Sequence, residues 1–125
     1  MSTTAKTDLP NPKDLIGIKK PPVWLVPMTG LLHTAMAMKN GAEKYGPYNW
    51  REHPVQNVIY IDAAMRHLMA YLDGEECAED SGSHHLGHAA ACMMIVMDAM
   101  EQGNMIDKRP PKGKVPELIK RFTIT

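Results

Sequence analysis

Residues 62–88 read DAAMRHLMAYLDGEECAEDSGSHHLGH, and the fold follows from how this stretch divides. Its first dozen residues end a helical pattern that starts after His53-Pro54. There Val58, Ile61, Met65, Leu68 and Leu72 recur three and four apart, the spacing of an amphipathic helix running to about Asp73. Gly74 permits a turn. Ser81 or Ser83 can then cap a second helix, in which Leu86, Ala89, Ala90, Met93, Val96, Met97 and Met100 form an apolar face to about Glu101. Two helices joined by so short a turn make a hairpin, and a hairpin predicts an all-α protein.

The turn carries the chemistry. Residues 62–88 hold six of the fourteen acids and four of the six histidines. Glu75, Glu76, Glu79 and Asp80 lie within six residues, where like charges repel by about 1 kcal/mol per close pair even in water. Such a cluster is either fully solvated or neutralised by a cation. Mg²⁺ and Mn²⁺ prefer oxygen ligands, and Mn²⁺ also accepts imidazole. Asp62 and His67 on the preceding helix, and His85 and His88 three apart on the next, favour the metal over a plain acidic loop. A site of two or more ions would bridge a polyphosphate, neutralise it and activate a water for in-line attack. Asp62 and Arg66, four apart, can also form an ordinary surface pair.

Outward from the hairpin, Thr29 or Gly30 can start a further helix whose buried side uses Leu31, Leu32, Ala35, Met36 and Met38. Gly41 or Gly46 can end it. The loop GAEKYGPYNWREHP follows, with Tyr45, Tyr48 and Trp50 beside Lys44, Asn49 and Arg51. These aromatics can stack on a nucleobase while lysine and amide hold phosphate or base edges, or they can simply anchor the loop. Residues 1–29 hold five prolines and no helical period, and predict an extended arm. Lys19 and Lys20 within it are either solvated or close over a phosphate. Residues 104–125 form a basic, proline-broken tail whose last dozen can make a short helix or dock on a partner subunit.

Composition sets the remaining bounds. A chain of 125 residues is one domain, 1–125, with formal charge zero, which argues against wholesale nucleic-acid or membrane-surface binding. Cys77 and Cys92 read as free thiols of a reducing compartment, and the polar start MSTTAKTDLP resembles neither a signal peptide nor a span. A cytoplasmic location is therefore expected. Eleven methionines, with helix faces left over, predict burial completed by a homo-oligomer, a dimer or tetramer.

The order NPKD–IG–KKPP–LVP, GAEKYGPYNW, DAAMRHLMAYLDGE and SGSHHLGHAA resembles the phage dATP/dGTP diphosphohydrolase family over roughly residues 11–101. These are compact relatives of the MazG-like all-α nucleotide pyrophosphohydrolases. The resemblance implies a MazG-like helical bundle that cleaves dGTP or dATP to the monophosphate and pyrophosphate with Mg²⁺ or Mn²⁺. Glu76-x-x-Glu79 fits half of the wider superfamily's acidic motif, while His85-x-x-His88 stands where its second half is expected. The expected metal ligands are Asp62, Glu75, Glu76, Glu79 and Asp80. His67, His85 and His88 support them, while Lys19, Lys20, Lys44, Arg66, Asn49 and Trp50 hold substrate. Two rivals stand beside this reading. A His/Cys zinc-binding interaction module lacks paired knuckle spacing, and a His-Asp phosphohydrolase would need a His-Asp dipeptide absent from the sequence.

Overall fold

The computed structural model describes residues 9–125, so residues 1–8 of the expected arm lie outside it. Over that range the chain is mostly helical, in the order α1 (Pro12–Gly17), α2 (Met28–Tyr45), α3 (Asn49–Glu52), β1 (Val55–Gln56), α4 (Asn57–Leu72), α5 (His85–Glu101), β2 (Met105–Ile106) and α6 (Val115–Phe122). The central helix is α5, with α4 and α2 packed against it.

Small residues make this packing possible. Ala37 of α2, Ala64 of α4 and Ala89, Ala91 and Ala99 of α5 are buried. The closest approach is at Gly87, where an added Cβ would lie 2.4 Å from the carbonyl oxygen of His33. Glycine is needed there because the obstacle is backbone and cannot rotate away.

Two short pairings fix the far end of the bundle. Val55 and Gln56 run parallel to Met105 and Ile106, and Val55 is the best-buried large side chain. Buried Asn57 donates from Nδ2 to Asp107 Oδ1 at 3.1 Å and accepts from the Lys108 amide at 3.0 Å. Asn104 donates to the carbonyls of Trp50 and His53 at 2.8 and 2.7 Å, which ties the aromatic loop to the end of α5.

Several boundaries differ from the sequence reading, each for a local reason. The arm is not wholly extended: Asn11 accepts from the Lys13 amide at 2.9 Å and Pro12 opens α1, while Val23–Leu25 form a single 3-10 turn. Helix α2 starts at Met28, one residue before the expected start, and continues through Gly41 to end at Gly46, whose φ of 90° suits glycine. Neither serine caps α5. His84 does so, its Nδ1 accepting from the Leu86 amide at 3.0 Å. The largest departure is in α4, where Met65, Leu68 and Leu72 of the apolar stripe are exposed while Ala64 and His67 turn towards α5.

Candidate functional site

Where α4, the turn and α5 meet, four histidines and three acids assemble. On α4, His67 Nδ1 lies 2.8 Å from His85 Nδ1, and the His67 ring stacks on His88 at 4.5 Å between centroids. His85 is buried and its Nε2 contacts Glu75 Oε1 at 2.5 Å. His84 Nε2 lies 2.9 Å from Glu76 Oε2, so two carboxylate–imidazole pairs stand side by side. The pairing is built by the turn itself. An isolated antiparallel bridge joins Cys77 to His84, and the His85 amide donates to the Glu76 carbonyl at 3.0 Å.

The proton positions follow if Glu75 is ionised and both rings are neutral. Glu75 can only accept, so His85 Nε2 carries the hydrogen and His85 Nδ1 has a lone pair. That lone pair accepts from His67 Nδ1–H, which leaves the Nε2 of His67 as a free base. Burial is the main cause that holds the His67 and His88 pKa values below the ordinary histidine range. His88 Nε2 meets Ser81 Oγ at 2.7 Å, and Ser81 Oγ accepts from the Ser83 amide at 3.1 Å. Asp80 accepts from the Ser81 amide at 2.9 Å and faces Lys44 Nζ at 3.5 Å, and these bonds hold its pKa below the usual carboxylate value.

A cavity of about 290 Å³ opens beside this cluster. His67, Asp80, His88 and Lys44 line it, and so do Asn40, Tyr45, Asn49, Trp50 and Tyr60. Tyr60 sits seven residues before His67 on the same side of α4, so about 10 Å of helix axis separates the two. The cavity therefore joins a charged, histidine-rich part to an aromatic part with two carboxamides. Burial raises the pKa of Tyr60 and of Cys92 on the facing wall. A larger cavity of about 520 Å³ between α2 and α5 is lined mainly by apolar residues such as Val26, Leu31 and Met94. His33 and His84 also line it but no lysine or arginine does, so the smaller cavity, which holds Lys44, is the candidate site.

The aromatic part is rigidly mounted. Trp50 Nε1 donates to Asp98 Oδ2 at 2.9 Å, and Arg51 makes a two-pronged contact with the same carboxylate. Tyr48 takes the left-handed backbone region at φ 57°, sparsely used by residues with a side chain. Its ring packs on Trp50 at 5.0 Å, under the Arg51 guanidinium at 5.2 Å.

Of the residues singled out in the sequence, the cavity brings together Lys44, Asn49, Trp50, His67, Asp80 and His88. Glu75 joins through His85, which touches His67, whereas Glu76 pairs with His84, which lines the larger cavity instead. Glu79 is exposed on the turn. Asp62 and Arg66 are exposed on α4 and form no ion pair with each other. Lys20 lines a separate groove with Lys13, Asp14 and Trp24, and Lys19 is exposed beside it. Among the described residues no three of His, Cys, Asp and Glu converge as they would around a bound ion. The sequence does not single out Asn40 or Tyr60; it offers Ser81 only as a helix cap and Asp98 only as a loose match, with Glu101, to the superfamily's second acidic pair. Tyr60 was detectable from its seven-residue spacing to His67, whereas Asp98 meets Trp50 only through the tertiary fold.

No helix among the described residues is long and apolar enough to cross a membrane. No solved structure matches the chain. The chain is 26% identical over 106 residues to a Salmonella phage PMBT28 protein named dATP/dGTP diphosphohydrolase. That alignment covers 82% of this chain and 36% of the relative, so the chain spans about a third of the relative's length. A family model described as dATP/dGTP diphosphohydrolase, N-terminal, matches residues 10–109, and by that match the chain belongs to this family.

Proposed function

We propose that the chain hydrolyses a purine deoxynucleoside triphosphate, dGTP or dATP, to the monophosphate and pyrophosphate. The observation that carries this reading is the joined cavity, in which Lys44 and the histidine cluster adjoin Trp50, Tyr60 and Asn49. A triphosphate needs cations and proton carriers, while its base needs an aromatic wall and hydrogen-bonding amides. The purine and the deoxyribose rest on the name carried by the family and by the Salmonella phage protein.

The acids of the turn are oxygen donors of the class that a hard divalent ion takes, although no three of them converge among the described residues. Mg²⁺ is commonly held by one or two carboxylates with substrate phosphates and waters completing its shell. Glu75 and Glu76, each paired with a histidine, are the proposed share of the protein. Glu75, Glu76, Glu79 and Asp80 would hold Mg²⁺ or Mn²⁺, with Asp62, exposed on α4, as the further expected ligand. Such ions, when bound, supply charge neutralisation and water activation at the phosphates.

The chain's own residues do the rest. Lys44 balances phosphate charge from the cavity wall. His85 fixes the orientation of Glu75 through Nε2, and His67 fixes His85 in turn. The free Nε2 of His67 accepts the proton of the attacking water, which its low pKa keeps it ready to do near neutral pH. Ser81 holds His88 across the stack, and Trp50, locked by Asp98, bounds the base. The exposed apolar faces are covered in a homo-oligomer.

A panel of nucleoside triphosphates with Mg²⁺ or Mn²⁺, with products resolved by chromatography, tests the reading. Deoxypurine monophosphate and pyrophosphate are expected. Nucleoside with intact triphosphate, or stoichiometric zinc without turnover, would instead support one of the rival classes.

A further inference from the structure

Helix α6 and the outer face of α4 are built to the same pattern. Val115, Leu118, Ile119 and Phe122 stand at i, i+3, i+4 and i+7, and Met65, Leu68, Met69 and Leu72 repeat that spacing. Both stripes face solvent: Ile119 and Phe122 are 63% and 69% exposed, and Met69 and Leu72 are 66% and 85% exposed. Solvated stripes of this size are unusual for a monomer and mark contact surfaces.

Charge complements the spacing. Residues 107–125 carry Lys108, Arg109, Lys112, Lys114, Lys120 and Arg121 against Asp107 and Glu117. The α4 stripe is bordered by Asp62 and Asp73 against Arg66. A basic amphipathic helix thus matches an acid-bordered apolar stripe. The surface area gives the scale. The chain exposes 10735 Å², whereas a compact chain of 13.9 kDa exposes roughly 6,700 Å². The surplus is spread over the arm, the tail and the uncovered helix faces, and a standard interface takes about 800 Å² per partner.

We propose that α6 of one copy lies along the Met65–Leu72 stripe of α4 in a second copy. Reciprocal exchange closes a two-fold dimer in which each copy contributes eight large apolar side chains. The tail is anchored at the opposite end of α4 by the Asn57–Asp107 bond and the β1–β2 pair, and within one chain it leaves the stripe uncovered. The contact is independent of the proposed hydrolysis, since its test reads mass and covalent linkage.

The test uses full-length chains in which Cys77 and Cys92 are replaced by serine. One chain carries Leu72→Cys and the other Ile119→Cys, and the two are mixed and oxidised at low micromolar concentration. A mixed disulfide dimer, more abundant than either like-with-like dimer, is expected. In the otherwise wild-type chain, Ile119→Glu with Phe122→Glu should halve the mass measured by light scattering, and Met69→Glu with Leu72→Glu should do the same. All four positions are exposed, so folding is preserved. A monomeric wild-type chain, an oligomer untouched by both glutamate pairs, or an intrachain bridge in the doubly substituted Leu72→Cys/Ile119→Cys chain would overturn the proposal.

Discussion

Gly87→Ala is a substitution whose sign is decided by one contact. On a helix by itself, alanine for glycine stabilises by roughly 0.5–1 kcal/mol through lower backbone entropy in the unfolded chain. Here the new Cβ would meet His33 at 2.4 Å from its carbonyl oxygen and 2.8 Å from its carbonyl carbon. Both atoms belong to the α2 backbone, so relief requires moving α2 and α5 apart by about 1 Å to regain ordinary contact distance. Overpacking of this kind costs about 1–3 kcal/mol, which outweighs the helix gain in most of its range. A net loss of about 1–2 kcal/mol lowers the Tm of a domain this size by roughly 3–10 °C. The shift also carries Lys44 on α2 away from Asp80, so kcat/KM should fall beyond what unfolding explains. The assay is thermal unfolding followed by circular dichroism, with activity measured well below the transition. A variant with raised Tm would refute the close approach of α2 to α5.

Other outcomes follow from the same geometry. Trp50→Phe keeps an aromatic wall but loses the bond to Asp98, so Tm should fall while KM rises less than about threefold; Trp50→Ala should raise KM about ten- to a hundredfold, since each 1.4 kcal/mol of stacking is a factor of ten. Glu75→Gln should leave the helical circular dichroism signal intact and lower turnover by roughly a hundredfold, because it removes charge from an exposed turn with little packing role. The pH dependence of stability has a definite direction. His67 and His88 bind protons less readily folded than unfolded, so below the ordinary value of 6.5 the unfolded chain takes up more protons. Stability should therefore fall as pH drops through the range just under 6.5 and be independent of these rings above it. Urea titrations of the wild-type chain and of His67→Gln check this, and the variant should show a shallower decline.

The sequence made the hairpin legible because helical period, glycine and acid-rich turn all coincide in residues 53–101. It also brought out the acids and histidines, since side chains one helix turn apart must share a side. It misled on which side of α4 faces inward. The large apolar residues Met65, Leu68 and Leu72 form the stronger stripe, yet Ala64 and His67 meet α5. Close helix packing selects small residues at the centre, and a stripe meant for another surface gives the same periodic signal. The parallel β1–β2 pair and the Asn57–Asp107 and Trp50–Asp98 bonds join residues some 50 positions apart. No local pattern encodes such partners. Serine is a preferred cap residue, yet the bridge from Cys77 to His84 places a histidine at the start of α5.

Isotopic labelling reports most directly where the triphosphate is broken. The reaction is run with dGTP or dATP and a divalent ion in water enriched in ¹⁸O, and the products are weighed by mass spectrometry. Attack at the α-phosphate predicts one ¹⁸O in the nucleoside monophosphate and none in the pyrophosphate. Label in pyrophosphate or inorganic phosphate, or release of unlabelled nucleoside with labelled triphosphate, would contradict it.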